Sequence, residues 1–128
     1  MFSNKLTNIQ TFVSVFVMSG AHLTFDQRIE LADTFGLLSD PTRLSIVLAC
    51  LDEEKSVGDI AEELDLSTSL TSHHLRLLRS TRVLRSDRRG KQVFYAMSDD
   101  CVHRVLNIMI DHLFIHKQHY TTDHKVEN

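Results

Sequence analysis

The sequence predicts a mostly α-helical domain with one small β-hairpin, ordered as a winged helix-turn-helix. Three observations carry this. Two short helical patterns, 57–64 and 67–78, are separated by a turn around Asp65-Leu66-Ser67. An arginine-rich strand–turn–strand pattern follows them directly. The chain has 128 residues, 42% hydrophobic and 24% charged, which suits one globular domain rather than a disordered segment.

Residues 1–22 stand apart as an N-terminal extension. Leu6, Ile9, Phe12, Val13, Phe16 and Val17 recur there at helical spacing, and only Lys5 is charged. An extra amphipathic helix fits this pattern. A weak signal peptide and translation from Met18 are the other readings; Gln10, Thr11 and Ser14 interrupt the apolar stretch that a signal peptide needs. The main domain is expected over 23–117, with a histidine-containing tail over 118–128.

Thr24 can cap a first helix carrying Ile29, Leu31, Ala32, Phe35 and Leu38. Asp40-Pro41 starts the next, with Asp40 as N-cap and proline at the first helical position. The helix of 57–64 turns Ile60, Ala61 and Leu64 inward, and that of 67–78 carries Leu70, Leu75, Leu77 and Leu78. Val83-Leu84-Arg85-Ser86 is predicted as a strand, Asp87-Arg88-Arg89-Gly90 as a turn, and Val93–Met97 as the return strand. Ser98-Asp99-Asp100 supplies a cap and acidic start for a last helix reaching at least Ile115.

Charge is unevenly placed. Residues 76–91 hold seven basic side chains and one acid, a local +6 in a chain of net −3. A basic block on an acidic body points to a polyanion partner. On the second helix of the pair, Thr68, Ser69, Ser72, His73 and Arg76 share a face at 100° per residue. All can hydrogen-bond, and such a face suits base edges and phosphates in a major groove. At the wing, Arg88, Arg89 and Lys91 suit the phosphate backbone or a minor groove. Double-stranded DNA is therefore the expected partner. A solvated polar face and a charged turn are the bland alternative.

No apolar run reaches the ~18–20 residues of a membrane span. Two unclustered cysteines, Cys50 and Cys101, give no disulfide framework, so a reducing, cytoplasmic setting is expected. No nucleophile–base pair or phosphate loop suggests an enzyme.

Two segments, Leu38-Ser39-Asp40-Pro41-Thr42-Arg43-Leu44-Ser45-Ile46 and Ser67-Thr68-Ser69-Leu70-Thr71-Ser72-His73-His74-Leu75, resemble the helix-boundary signatures of the ArsR/SmtB family of bacterial repressors. The wing segment Arg89-Gly90-Lys91-Gln92-Val93-Phe94-Tyr95 is also similar. The likeness covers roughly residues 25–116. It implies a homodimer joined through the first and last helices, binding an operator of inverted-repeat symmetry.

The resemblance also points to a metal site on the last helix. The zinc- and cobalt-sensing branch carries Asp-x-His, ten residues, His, two residues, then His or Glu. Aligned from Tyr95, Asp99 takes the first position, Cys101 replaces the first histidine, and His112 takes the second. The fourth position falls on Ile115, one residue before His116. Cys101 and His112 are eleven residues apart, a net rotation of about 20°, so they share a face, yet they lie ~16 Å apart along the axis. One ion cannot join them within one helix, but an antiparallel partner helix could bring them together. The expected ligand set is Asp99 and Cys101 of one chain with His112 and His116 of the other. Such a set suits Zn²⁺, with Cd²⁺ or Co²⁺ also suited. His103 lies about 180° from His112 and is expected outside the site, packed near Leu106 and Ile110. Val105 and Ile108 share the Cys101/His112 face and are expected in the dimer interface. The family likeness further implies a bond from the other His112 ring nitrogen to a carbonyl near Arg82. Ser56-Val57-Gly58-Asp59 stands where some arsenic-, cadmium- and lead-sensing relatives carry cysteines, so a second site there is not expected.

The function expected is a metal-responsive repressor, bound to its operator as a homodimer and released when metal binds. The alternatives are a thiol- or redox-responsive repressor using Cys101, with or without Cys50, and a winged helix that binds protein only.

Overall fold

The computed structural model describes the backbone of residues 22–123 and the side chains up to residue 117. The expected extension, apart from residue 22, and the side chains of the tail lie outside the described residues. The chain divides into two units between Phe35 and Gly36.

The first helix, α1 (Phe25–Leu38), runs across that boundary. Thr24 and Gln27 close a capping box at its start. The Gln27 amide donates to Thr24 Oγ1 at 3.2 Å, and the Thr24 amide donates to Gln27 Oε1 at 2.9 Å. No residue of α1 is buried, and Phe25, Ile29, Leu31 and Phe35 are exposed.

Beyond Gly36 come α2 (Pro41–Ala49), β1 (Lys55–Ser56), α3 (Val57–Glu63), α4 (Thr68–Ser80), β2 (Leu84–Arg89), β3 (Gln92–Met97) and α5 (Asp100–Asp123). Short polar caps set the helix starts. Asp40 accepts from the Arg43 amide at 2.9 Å, Ser56 from Asp59 at 3.1 Å, and Ser67 from Leu70 at 3.1 Å. Pro41 stands at the first helical position, where its missing N–H costs nothing.

The core draws one or two residues from each of α2, α3, α4, β2 and β3. Ile46 and Val47 of α2, Ile60 of α3, Leu75 and Leu78 of α4, and Leu84 and Tyr95 of the sheet pack together. Cys50, the C-cap of α2, is buried among them. Among the described residues, two that are not glycine turn the chain in the left-handed region, Asp65 (φ 54°) between α3 and α4 and Arg82 (φ 62°) between α4 and β2. Each lets the next residues fold back: Leu66 N–H bonds Ala61 C=O at 2.9 Å, and Val83 N–H bonds Leu78 C=O at 3.1 Å.

The sheet corrects the expected hairpin in two respects. It has three antiparallel strands in the order β1-β3-β2, because Lys55 and Ser56 pair with Tyr95 and Phe94. A strand of two residues shows no alternation, so sequence pattern cannot reveal it. The wing is also longer and its turn tighter. Arg88 pairs with Val93 and Arg89 with Gln92, leaving Gly90 and Lys91 as a two-residue turn. Gly90 holds φ +63° at the first turn position, where the sharp reversal favours glycine.

Candidate nucleic-acid interface and effector helix

α3 and α4 meet across Asp65, Leu66 and Ser67, and α4 buries Thr71, Leu75 and Leu78. Burial at those positions turns the opposite side outward. Thr68, Ser69, His73 and Arg76 are exposed and Ser72 is half-buried. The Arg76 Nε donates to the Ser72 carbonyl at 3.3 Å, which lays the arginine along the helix. The His73 and His74 rings sit 5.8 Å apart, and His74 keeps its Nδ1 buried.

In the wing, strand alternation separates the two adjacent arginines. Arg88 shares a face with Leu84 and Ser86, the face that packs on α3 and α4; Arg89 shares the opposite face with Arg85 and Asp87. Arg88 and Lys91 are exposed. Arg89 has partners of its own. It forms a two-pronged pair with Glu54, Nη1 to Oε1 at 2.6 Å and Nη2 to Oε2 at 2.9 Å. Its Nε donates to Asp87 at 3.1 Å, and its guanidinium lies 4.7 Å from the centre of the Phe94 ring. Sequence reading missed Glu54, because the partner lies 35 residues away and no local pattern links them.

α5 carries the expected effector residues. Asp99 caps it, Oδ1 accepting from the Cys101 amide at 2.8 Å and the Val102 amide at 3.4 Å. Cys101, His112 and His116 are all exposed. The rings of His112 and His116 meet edge to face, 4.3 Å between centres. Val105 and Ile108 are exposed apolar residues, at 46% and 64% of their full surface, and Met109, Leu113 and Phe114 extend that apolar surface. Among the described residues, no three His, Cys, Asp or Glu side chains of one chain gather closely enough to hold a metal ion.

His103 has partners both on its own helix and beyond it. Its Nε2 lies 3.3 Å from Asp52 Oδ1, and its Nδ1 lies 3.3 Å from Asn107 Nδ2. It therefore ties α5 to the loop after α2. The partner is 51 residues away, out of reach of a helical wheel.

Burial pushes the Cys50 thiol up to about 11, while the Arg43 amide bonded to Asp40 holds that carboxyl below its ordinary value. Cys50 is thus a packed, inert thiol and Cys101 an accessible one.

A helix-turn-helix with a hydrogen-bonding outer face, followed by a basic hairpin, defines a winged-helix regulator. The profile described as "Bacterial regulatory protein, arsR family" matches residues 40–86, which run from the cap of α2 into the wing. The chain is 36% identical over 91 residues to the "Transcriptional repressor SmtB homolog" of Synechocystis sp., covering 71% of this chain and 69% of that one. It is 33% identical over 90 residues to the cadmium resistance regulatory protein CadC homolog of Staphylococcus aureus, covering 70% and 71%. The AntR antimony-specific transcriptional repressor has a similar structure, with a TM-score of 0.68 and 26% identity over 78% of this chain and 91% of that one. HlyU of Vibrio cholerae matches with a TM-score of 0.62 and 27% identity over 67% and 94%. The chain belongs to the arsR family of transcriptional regulators. Among the described residues, no helix is long and apolar enough to cross a membrane.

Proposed function

We propose that this protein is a metal-responsive repressor that binds operator DNA as a homodimer and is released when a divalent ion binds between its last helices. The arrangement of α5 carries this reading. Cys101, His112 and His116 are exposed on a helix that also exposes Val105 and Ile108, and no chelating group of three forms within one described chain. Exposed ligand groups that do not gather into a chelating set within the described residues of one chain, beside apolar surface, fit a site completed by a second copy.

Asp99 and Cys101 of one protomer, with His112 and His116 of the other, would hold the ion. One carboxylate, one thiolate and two imidazoles fit tetrahedral Zn²⁺, and Cd²⁺ or Co²⁺ also suits these donors. The His112 and His116 rings lie 4.3 Å apart, which supports a role for both at one site. When bound, the ion supplies a cross-link between the two α5 helices. Thr68, Ser69, Ser72, His73 and Arg76 would read the major groove, and the wing that carries Arg88, Arg89 and Lys91 would lie beside the backbone. Because each α4 is carried on the same body as its α5, a new angle between the last helices changes the spacing of the two reading helices. That spacing must match successive major grooves for both to bind.

The experiment is a release assay on a duplex that the wild-type protein selects from a random pool. Zinc should displace the wild type but leave His112→Ala bound. A wild type that holds its duplex equally with and without zinc contradicts the reading. The accessible Cys101 supports a thiol-responsive repressor as a second reading. Release by oxidant and not by zinc, lost in Cys101→Ser, would select it.

A further inference from the structure

The distal part of the wing has little support of its own. β1 pairs with β3 only at Tyr95 and Phe94. Beyond that level the wing is a two-stranded ribbon, through Arg88↔Val93, Arg89↔Gln92 and the Gly90-Lys91 turn. Isolated two-stranded hairpins are marginal in water. Arg89 changes this. Its side chain runs back along the sheet over Phe94 and reaches Glu54, in the loop entering β1. The guanidinium is therefore inboard of the tip and on the face away from α3 and α4. Both of its forked nitrogens are used by Glu54, its Nε by Asp87, and its guanidinium carbon lies over the Phe94 ring. A fork-to-fork pair fixes direction as well as distance, which a lysine cannot do.

We propose that Arg89 is a positioning residue, clasped by Glu54 to fix the wing against the helix-turn-helix, and that Arg88 and Lys91 are the wing charges that meet DNA phosphate. This deepens the DNA-binding reading and rests on it. Arg88 has the opposite placement from Arg89, on the face that packs on α3 and α4, and Lys91 stands in the turn itself. The arrangement makes a counter-intuitive demand. Glu54 is an acid close to a DNA-binding element, so removing its charge should tighten DNA binding by simple electrostatics. As a clasp, Glu54 supports binding, and its loss weakens it.

The test compares wild type, Glu54→Gln, Arg89→Gln, Arg89→Lys, Arg88→Gln and the exchange of Glu54→Arg with Arg89→Glu. Thermal melting first confirms that each is folded. Affinity for the duplex selected by the wild type is then measured across a salt series. Glu54→Gln, Arg89→Gln and Arg89→Lys should each bind about two- to fivefold more weakly, the range expected for an exposed pair, with the wild-type salt slope. Arg88→Gln should flatten the slope by about one. The charge exchange should recover affinity relative to either single change. Hydrogen exchange without DNA should show faster exchange of the wing amides in Glu54→Gln. Tighter binding by Glu54→Gln, a slope flattened by Arg89→Gln as by Arg88→Gln, or wild-type affinity in Arg89→Lys overturns the clasp. A wild type that binds no duplex at low salt sinks the DNA-binding reading instead, and wing exchange in Glu54→Gln then decides the clasp by itself.

Discussion

His112 and His116 stand one helical turn apart on α5 with their rings in edge-to-face contact, 4.3 Å between centres. Both are exposed, whereas His103 on the same helix is engaged with Asp52 and Asn107. The helix thus carries two exposed histidines and one engaged with the loop after α2.

This separation predicts unequal mutants. His112→Ala should lower metal affinity by more than the roughly 10–100-fold that loss of an outer partner costs, and should keep the protein on DNA in zinc. His103→Ala should leave metal stoichiometry unchanged. Co²⁺ should give a thiolate-to-metal band in the near ultraviolet that Cys101→Ser removes. Binding should weaken in acid, since the ligands must lose protons. An essential His103 beside a dispensable His112, seen by metal titration, would require a different site.

Val105 and Ile108 lie exposed on the stretch between the two halves of the proposed site. Val105→Glu with Ile108→Glu should give monomers in sedimentation and abolish operator binding, since two charges cannot be buried unpaired in an apolar interface. A wild-type monomer at micromolar concentration contradicts the shared site.

Specificity and affinity should respond to different residues. Ser72→Ala and His73→Ala should narrow the difference between selected and random DNA. Arg88→Ala with Lys91→Ala should weaken both alike and flatten the salt slope by about 1–2. Competition binding at several salt concentrations separates the two effects.

Stability should follow the backbone and the core. Arg82 holds φ 62° without being glycine, so Arg82→Gly should stabilise by about 0.5–1 kcal/mol. Ser67→Ala removes the cap of α4 and should cost about 1 kcal/mol. Leu75→Ala, at a fully buried position, should cost about 2–5 kcal/mol. Urea unfolding measures all three.

Cys50 predicts a loss of stability in alkali. Its thiol is raised by burial from 9.0 to about 11, so the unfolded chain gives up this proton first. Its contribution is complete below about pH 9 and is lost as pH rises toward 11. Cys50→Ala should fall less steeply than wild type over that window in urea unfolding. At neutral pH a thiol reagent should modify exposed Cys101 well before buried Cys50.

The sequence by itself determined the helices, their caps and the outward face of α4. Those features depend on residues three or four positions apart, such as Ser67 and Leu70 or Thr71 and Leu75, and local spacing records them. It also placed Cys101, His112 and His116 on one helix. Only the tertiary structure decided which charged groups are already taken. Arg88 and Arg89 are neighbours of identical chemistry, yet alternation puts them on opposite faces, and Glu54 engages one of them across 35 residues. Likewise Asp52 claims His103 from a loop that no helical wheel includes. Ion pairs of this kind depend on where the chain brings two distant side chains. β1 escaped for the same reason: two residues become a strand only because β3 lies beside them.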